Sequence, residues 1–223
     1  MKKIKISIIL NSIIFILVTL GTIFMMTGFK FMAQSETLSV TKLGVFKFFT
    51  VDSNIFFGIV SLIFLIYEIL LIKKKIKKIP IVIYVLKLIS TAAVVLTFTV
   101  TLCYLVPTSE YSWLFFYQNS NLFFHLIVPI LGIITFIFFD YYQEIPYKYT
   151  FYSLLPMFLY SIYYSSNIFL HIKNGNILPK YDFYGFLRNG TNLIFIVVII
   201  MILLTYTIGY TLWKFNIYRG KKK

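Results

Sequence analysis

The chain has 223 residues, of which 60% are hydrophobic, 20% aromatic and only 13% charged, and this composition excludes a water-soluble surface. The formal net charge of +14 does not indicate nucleic acid binding, because the lysines stand in short clusters just outside apolar runs rather than along one polar face. The composition therefore predicts an integral membrane protein whose partners are membrane lipids, and it leaves the oligomeric state open.

Six apolar runs are long enough to cross a hydrocarbon core of about 30 Å, which takes about 20 helical residues. They are 6–26, 48–72, 81–106, 119–139, 149–170 and 191–212. The runs are continuous rather than alternating, which favours helices over a β-barrel. We therefore predict an all-α fold, in which residues 1–223 form one membrane domain of six transmembrane helices.

The positive charges predict the orientation of this bundle. Fourteen lysines and arginines lie on the side of the two termini, six lie on the other side, and Lys87 alone lies within a helix. The positive-inside rule then places both termini in the cytoplasm. Lys87 is about a turn and a half from the inner end of the third helix, so we expect its side chain to extend to the cytoplasmic headgroups.

Polar residues gather at the outer ends of the second and fourth helices. Thr50 and Asn54 are four residues apart, as are Asn121 and His125, with Gln118 three residues before Asn121, so each set shares a helix face. Polar side chains that face acyl chains are costly, so these faces should line the bundle interior. The spacing predicts an outward-opening polar pocket about two turns deep.

Other polar residues extend this predicted pocket. A stripe of Tyr160, Tyr163 or Tyr164, Asn167 and His171 follows the fifth helix, and Asn192 begins the sixth. The pocket set is Asp52, Ser53, Gln118, Tyr163, Asn167 and Asn192. His171 lies at a helix exit, where interfacial solvation is a sufficient explanation for it.

Structural explanations compete with functional ones for most of these residues. Asp52 and Ser53 suit helix capping, which we favour for both. Asn54, Asn121 and Asn167 equally suit interhelical hydrogen bonds of about 1 kcal/mol each. For His125 we favour a function, because an imidazole inside a membrane helix is uncommon and exchanges a proton near neutral pH.

Pro129 should modify the helix that holds His125. A proline at this position removes the backbone hydrogen bond to the carbonyl of His125, four residues earlier. We therefore predict a kink just beneath the histidine, which would widen the pocket.

The chemistry open to the pocket is narrow. The sequence has no zinc-protease, P-loop, dinucleotide-binding or G-x-S-x-G motif, and two histidines without a cysteine cluster predict no metal site. If the second and fourth helices adjoin, His125 could act as general base for attack by the Thr50 hydroxyl on an ester carbonyl. Asn54 or Asn121 could donate to the oxyanion or position the substrate. Such a reaction needs no cofactor.

Four segments occur in a defined order: FFTVDSN (48–54), NSNLFFHLIVP (119–129), LLPMFLYSIYY (154–164) and YDFYGFL (181–187). Together they resemble the successive landmarks of the androgen-induced family of multi-helix membrane proteins, and more closely its bacterial relatives of the Pr6Pr type. The resemblance covers roughly residues 45–190. It departs from the animal members at YDFYGFL, where they have a Tyr-Pro-Phe-type segment.

Animal members of that family are intramembrane threonine hydrolases that cleave fatty-acid esters of hydroxy fatty acids, using one threonine and one histidine. By motif, those positions correspond to Thr50 and His125. The resemblance implies a multi-pass protein of a bacterial plasma membrane that hydrolyses a lipid ester. The alternative is a non-enzymatic membrane protein, such as a small transporter, a ligand-binding sensor or an accessory subunit, that uses the same pocket. A third reading, a structural protein with interhelical hydrogen bonds, also remains open.

Overall fold

The structure is a computed structural model that describes residues 2–32, 40–110, 112–172, 178, 180–187 and 193–221. All regular structure within these ranges is helical. The six long helices are α1 (Lys2–Thr27), α2 (Phe49–Ile72), α3 (Ile81–Thr108), α4 (Ser120–Phe139), α5 (Leu155–Phe169) and α6 (Ile194–Lys221). Short 3-10 segments occupy Lys42–Lys47, Trp113–Tyr117 and Tyr147–Leu154, and the last of these leads directly into α5.

Five of these helices, α1, α2, α3, α4 and α6, are long and apolar enough to cross a membrane. In contrast, α5 has only 15 α-helical residues and reaches membrane length only together with the 3-10 segment before it. The all-α prediction is therefore confirmed in class, and five apolar helices indicate a multi-pass membrane protein. The sixth span stays a prediction.

Neighbouring helices alternate in direction, so both described chain ends lie at one end of the bundle. At this terminal end, Ser7 donates to Asp140 and Lys221 lies 3.7 Å from Glu144. At the opposite end, the Tyr160 hydroxyl donates to the carbonyl of Lys47 at 2.7 Å. The terminal end corresponds to the side that the charge pattern predicts to be cytoplasmic.

Helix α3 forms the centre of the bundle. Fourteen of the 20 residues in Ile81–Val100 are buried, against five of the 26 residues in α1. The outer helices instead expose large aliphatic side chains, such as Ile9 on α1, Ile162 on α5 and Leu203 on α6. Exposed apolar surface of this extent suits contact with acyl chains rather than with water.

Prolines explain two irregular turns in the long helices. A π-helical segment covers Thr101–Leu105 in α3, and another covers Phe123–Ile127 in α4. Pro107 and Pro129 each follow the central residue of their segment by four positions, where the missing N–H leaves a carbonyl without its helical partner. Widening the turn to π geometry accommodates this loss, and such turns occur often at functional sites. The π-helical segment of α4 at Phe123–Ile127 therefore includes His125 itself, and the kink and the wider pocket stay predictions.

A buried polar network occupies the terminal half of the bundle, and we call it the Lys87 cluster. Its members are Ser7, Asn11, Ser61, Glu68, Tyr84, Lys87, Asp140 and Tyr142. Lys87 has no exposed surface, so the prediction that it extends to the headgroups is wrong. The reason is that Asn11 and Ser61 on neighbouring helices supply acceptors for its ammonium at 2.5 and 2.8 Å.

Candidate functional site

Thr50 lies buried in the first turn of α2, at the opposite end of the bundle from the termini. Its carbonyl accepts hydrogen bonds from the Asn54 amide at 2.7 Å and the Ser53 hydroxyl at 3.2 Å. Its side chain lies on the wall of a cavity of about 40 Å³, which is large enough for a water molecule. A nucleophile at this position would therefore work in an enclosed space.

Tyr184 neighbours Thr50, and the sequence alone does not predict this contact. Burial raises the pKa of the Tyr184 phenol to about 12, and the neighbouring Tyr160 and Thr50 hydroxyls act in the opposite direction. The Tyr184 hydroxyl is buried and makes no hydrogen bond of good geometry with any described residue. A protonated phenol with a free donor therefore lies beside the Thr50 hydroxyl.

Asn54 connects the Thr50 helix to the His125 helix. Its Nδ2 donates to the carbonyl of Phe124 at 3.3 Å in addition to the carbonyl of Thr50, so α2 and α4 adjoin. Because both N–H groups of its amide are used in this way, Asn54 has no donor left for an oxyanion. Its Oδ1 is buried without a hydrogen-bond partner. The structure therefore supports an interhelical hydrogen-bonding role for Asn54 rather than an oxyanion role.

His125 is buried at the centre of the π-helical segment of α4. Its Nδ1 lies 2.9 Å from the carbonyl oxygen of Phe116, in the 3-10 segment before α4. A carbonyl oxygen only accepts hydrogen bonds, so Nδ1 must carry the hydrogen and, in the neutral ring, Nε2 is left with a free lone pair. This is the tautomer that a general base requires.

Thr50 and His125 belong to adjoining helices. No hydrogen bond joins their side chains in the part of the chain that the structure describes. Asn54 lies one turn from Thr50, about 6 Å along the helix axis, and reaches the carbonyl of the residue just before His125. Asn54 therefore links the helical segments that carry the two residues.

The predicted capping of α2 by Asp52 and Ser53 is wrong. The N-cap residue is Phe48, which has no side chain that can cap, so these two residues lie inside the helix. Ser53 instead bonds the hydroxyl of Thr97 on α3 at 3.1 Å. The side chain of Asp52 is not buried by other parts of the protein, and it lines a cleft between α2, α3 and α5.

This cleft has a volume of about 600 Å³ and is lined almost wholly by apolar and aromatic side chains. Tyr163, which is 46% exposed, lines it together with Asp52 and Ser53. Phe49 and Tyr160 line both this cleft and the small cavity at Thr50, so they form the partition between the two spaces. The cleft has the size and polarity of a site for an acyl chain.

The other predicted residues lie either near the start of α4 or near the end of α5. Asn121 is buried, and its side chain makes no hydrogen bond to another described residue; Gln118 has a buried Oε1 without a partner. Asn167 donates to the carbonyl of Tyr181 at 3.3 Å, so it braces a loop rather than lining the pocket. His171 stacks on Tyr181 with ring centroids 3.8 Å apart. Asn192 lies outside the described residues.

The loop 181–187 covers the site, and Asp182 organises it. The Asp182 carboxylate accepts hydrogen bonds from the backbone N–H groups of Phe186 and Leu187 at 3.1 and 3.0 Å, and from the Tyr164 hydroxyl. This holds Tyr184 in place over Thr50. The aromatic content of YDFYGFL was the one signal in the sequence for this role.

No protein-family model, curated protein or solved structure matches this chain. Within the described ranges, no group of three or more histidine, cysteine, aspartate or glutamate side chains is placed to hold a metal ion.

Proposed function

We propose that this protein is an integral membrane hydrolase of lipid esters, with Thr50 as nucleophile and His125 as general base. The observation that supports it best is the hydrogen bond from His125 Nδ1 to the Phe116 carbonyl, which leaves Nε2 basic in a buried site next to the Thr50 helix. The reaction uses side chains alone and needs no cofactor.

The chemistry follows the usual two steps of covalent ester hydrolysis. Thr50 Oγ1 attacks the ester carbonyl carbon while the Thr50 hydroxyl proton passes to His125 Nε2, either directly or through one intervening water molecule. Collapse of the tetrahedral intermediate breaks the bond to the alcohol, which leaves with that proton. Water, activated by the same imidazole, then releases the fatty acid from Thr50.

Tyr184 is the best-placed donor for the oxyanion. Its hydroxyl is protonated, buried, adjacent to Thr50 and without a good hydrogen bond of its own. Asn121 is a second candidate donor, because its amide makes no hydrogen bond to another described residue. Asn54 instead acts as a positioning residue, since its amide is used to join α2 and α4.

The substrate would reach this site from within the membrane. The 600 Å³ cleft accommodates an acyl chain between α2, α3 and α5, and movement of Phe49 or Tyr160 would connect it to the cavity at Thr50. We assign the chain six spans, both termini in the cytoplasm of a bacterial plasma membrane, and kinship with the androgen-induced family and its Pr6Pr-type bacterial relatives. The ordered motifs and the charge pattern support these assignments.

The test of the nucleophile is labelling of membranes with a fluorophosphonate, which reacts with activated hydroxyl groups. Wild type and Thr50→Ser should be labelled, and Thr50→Ala should not. Thr101→Ala is the matched control, because Thr101 is a buried threonine on the wall of the same cavity and should not affect labelling. Labelling of Thr50→Ala at the wild-type level would rule out Thr50 as the nucleophile.

The alternative of a non-enzymatic transporter, sensor or accessory subunit has one observation in its favour. Thr50 and His125 share no hydrogen bond in the described structure, and unpaired polar atoms such as Asn54 Oδ1 are suited to binding a polar ligand. On this alternative, wild type would not react with the fluorophosphonate at all.

A further inference from the structure

Besides two tyrosines, the Lys87 cluster contains one lysine and two carboxyl groups, all three fully buried. Lys87, Asp140 and Glu68 each have no exposed surface, and they come from α3, the end of α4 and α2, respectively. Buried charges in a membrane protein are costly unless they are paired, and they commonly mark a function. The proposed hydrolase site at the opposite end of the bundle does not use them.

The surroundings of Lys87 suit an ammonium ion that is paired with Asp140. Its Nζ donates to Asn11 Oδ1 at 2.5 Å and Ser61 Oγ at 2.8 Å, and it lies 3.7 Å from Asp140 Oδ2. An ammonium has three donors and no acceptor, which fits these three oxygens. The ring of Phe57, 4.4 Å away, adds a favourable cation–π contact. One positive and one negative charge therefore cancel.

Glu68 is left without a positive partner of its own. Its Oε1 accepts a hydrogen bond from the Tyr142 hydroxyl at 2.7 Å, and its Oε2 is buried with no hydrogen-bond partner among the described residues. If Glu68 were ionised, the cluster would hold a net charge of about −1 in a low-dielectric region, which is unfavourable. A proton on Glu68 removes this charge.

Ser7 provides a second reason for a proton on Glu68. The Ser7 hydroxyl donates its only hydrogen to Asp140 Oδ1 at 2.5 Å, so it has no hydrogen left for the neighbouring Glu68. An ionised Glu68 would therefore face only the lone pairs of the Ser7 oxygen, whereas the proton of a neutral Glu68 would be compatible with them.

We propose that Glu68 is a proton-binding site that exchanges one proton with the solution at the terminal end of the bundle. Tyr142 lies on the exchange route, because it bonds Glu68 and is only partly buried. In the exchange, the O–H bond of the Glu68 carboxyl breaks and the proton passes to water at that end. The groups that face Glu68 are Ser7 of α1, Tyr84 and Lys87 of α3, Asp140 at the end of α4, and Tyr142.

Infrared difference spectroscopy of the protein in phosphatidylcholine liposomes tests this site. Raising the pH should remove a carboxylic acid C=O band that shifts in deuterated buffer. Glu68→Gln should lack this band and should fold, because glutamine imitates the neutral acid. Glu144→Gln is the matched control, since Glu144 lies at the same end with 54% side-chain exposure, and it should retain the band.

Two results would overturn the proposal. One is a wild-type spectrum without a protonated carboxyl band, or with a band that persists in Glu68→Gln. The other is a band that responds to sodium at fixed pH rather than to pH, which would identify a metal cation as the ligand. Thermal unfolding gives an independent check: stability should fall as pH rises in wild type, because the folded state binds the extra proton, and this slope should be lost in Glu68→Gln.

Discussion

His125 is an example of a side chain whose chemistry is set by one backbone contact. The Phe116 carbonyl fixes the hydrogen on Nδ1 and so determines which nitrogen is basic. The sequence placed Asn121 and His125 on one helix face, but it could not identify this acceptor, because Phe116 precedes α4 and its position depends on how the 3-10 segment folds back.

At the residue scale, the assignment of Tyr184 gives a direct prediction. Tyr184→Phe removes the hydroxyl beside Thr50 and should lower ester hydrolysis by about 10²–10³-fold, the usual effect of losing one oxyanion donor. A long-chain p-nitrophenyl ester presented in detergent micelles is a suitable probe.

Tyr152→Phe is the control for this measurement, because Tyr152 is 52% exposed in the 3-10 segment at the terminal end of the bundle and lines neither the cavity at Thr50 nor the cleft. Equal activity in Tyr184→Phe and wild type would show that the Tyr184 hydroxyl does not donate to the oxyanion. An equal loss in Tyr152→Phe would point to a general structural effect.

At the scale of single helices, sequence rules work well for features that depend only on residues close together in the chain. Continuous apolar runs predict the five long apolar helices, and Pro129 accounts for the π-helical segment at His125. Local rules failed for Asp52 and Ser53, because the helix begins at Phe49 rather than at the nearest polar residues. They also could not give the contact between Asn54 and Phe124, which depends on packing between helices.

Pro129→Ala should test the role of the π-helical segment of α4. Restoring the N–H at residue 129 allows a regular α-helical bond to the His125 carbonyl, so the imidazole should rotate away from its present position. Because small displacements of catalytic groups are costly, hydrolysis of the p-nitrophenyl ester should fall by about tenfold to a hundredfold while the protein remains folded.

Pro80→Ala is the matched control, since Pro80 is the N-cap residue of α3 at the terminal end of the bundle, where a helix loses no hydrogen bond to proline. It should retain wild-type activity. Unchanged activity in Pro129→Ala would mean that the distortion at His125 has no part in catalysis.

At the scale of the whole molecule, the bundle contains two buried polar regions at different depths. The sequence predicts the polar region at Thr50 and His125, because the residues of that region cluster along the chain. The sequence does not predict the Lys87 cluster, because Ser7, Ser61 and Asp140 come from distant segments, and only the packed bundle brings them together. The rule that a lysine near the end of a membrane helix extends to the headgroups considers one helix alone, and so it omits partners on neighbouring helices.

The orientation of the whole bundle is a separate prediction. In a Cys103→Ser background, Lys75→Cys reports on the terminal end and Lys180→Cys on the opposite end. A membrane-impermeant maleimide added to intact cells should label Lys180→Cys and leave Lys75→Cys unlabelled, because the lysine-rich side faces the cytoplasm. The reverse labelling pattern would invert the topology.

The central claim is that Thr50 and His125 hydrolyse a lipid ester. Its most direct measurement compares the ester lipids in membranes of cells that express wild type, His125→Ala or His171→Ala. We expect one class of ester to be depleted by wild type and by His171→Ala, whose imidazole stacks on Tyr181 away from the site, and to accumulate in His125→Ala. Identical ester profiles in all three membranes would contradict the claim.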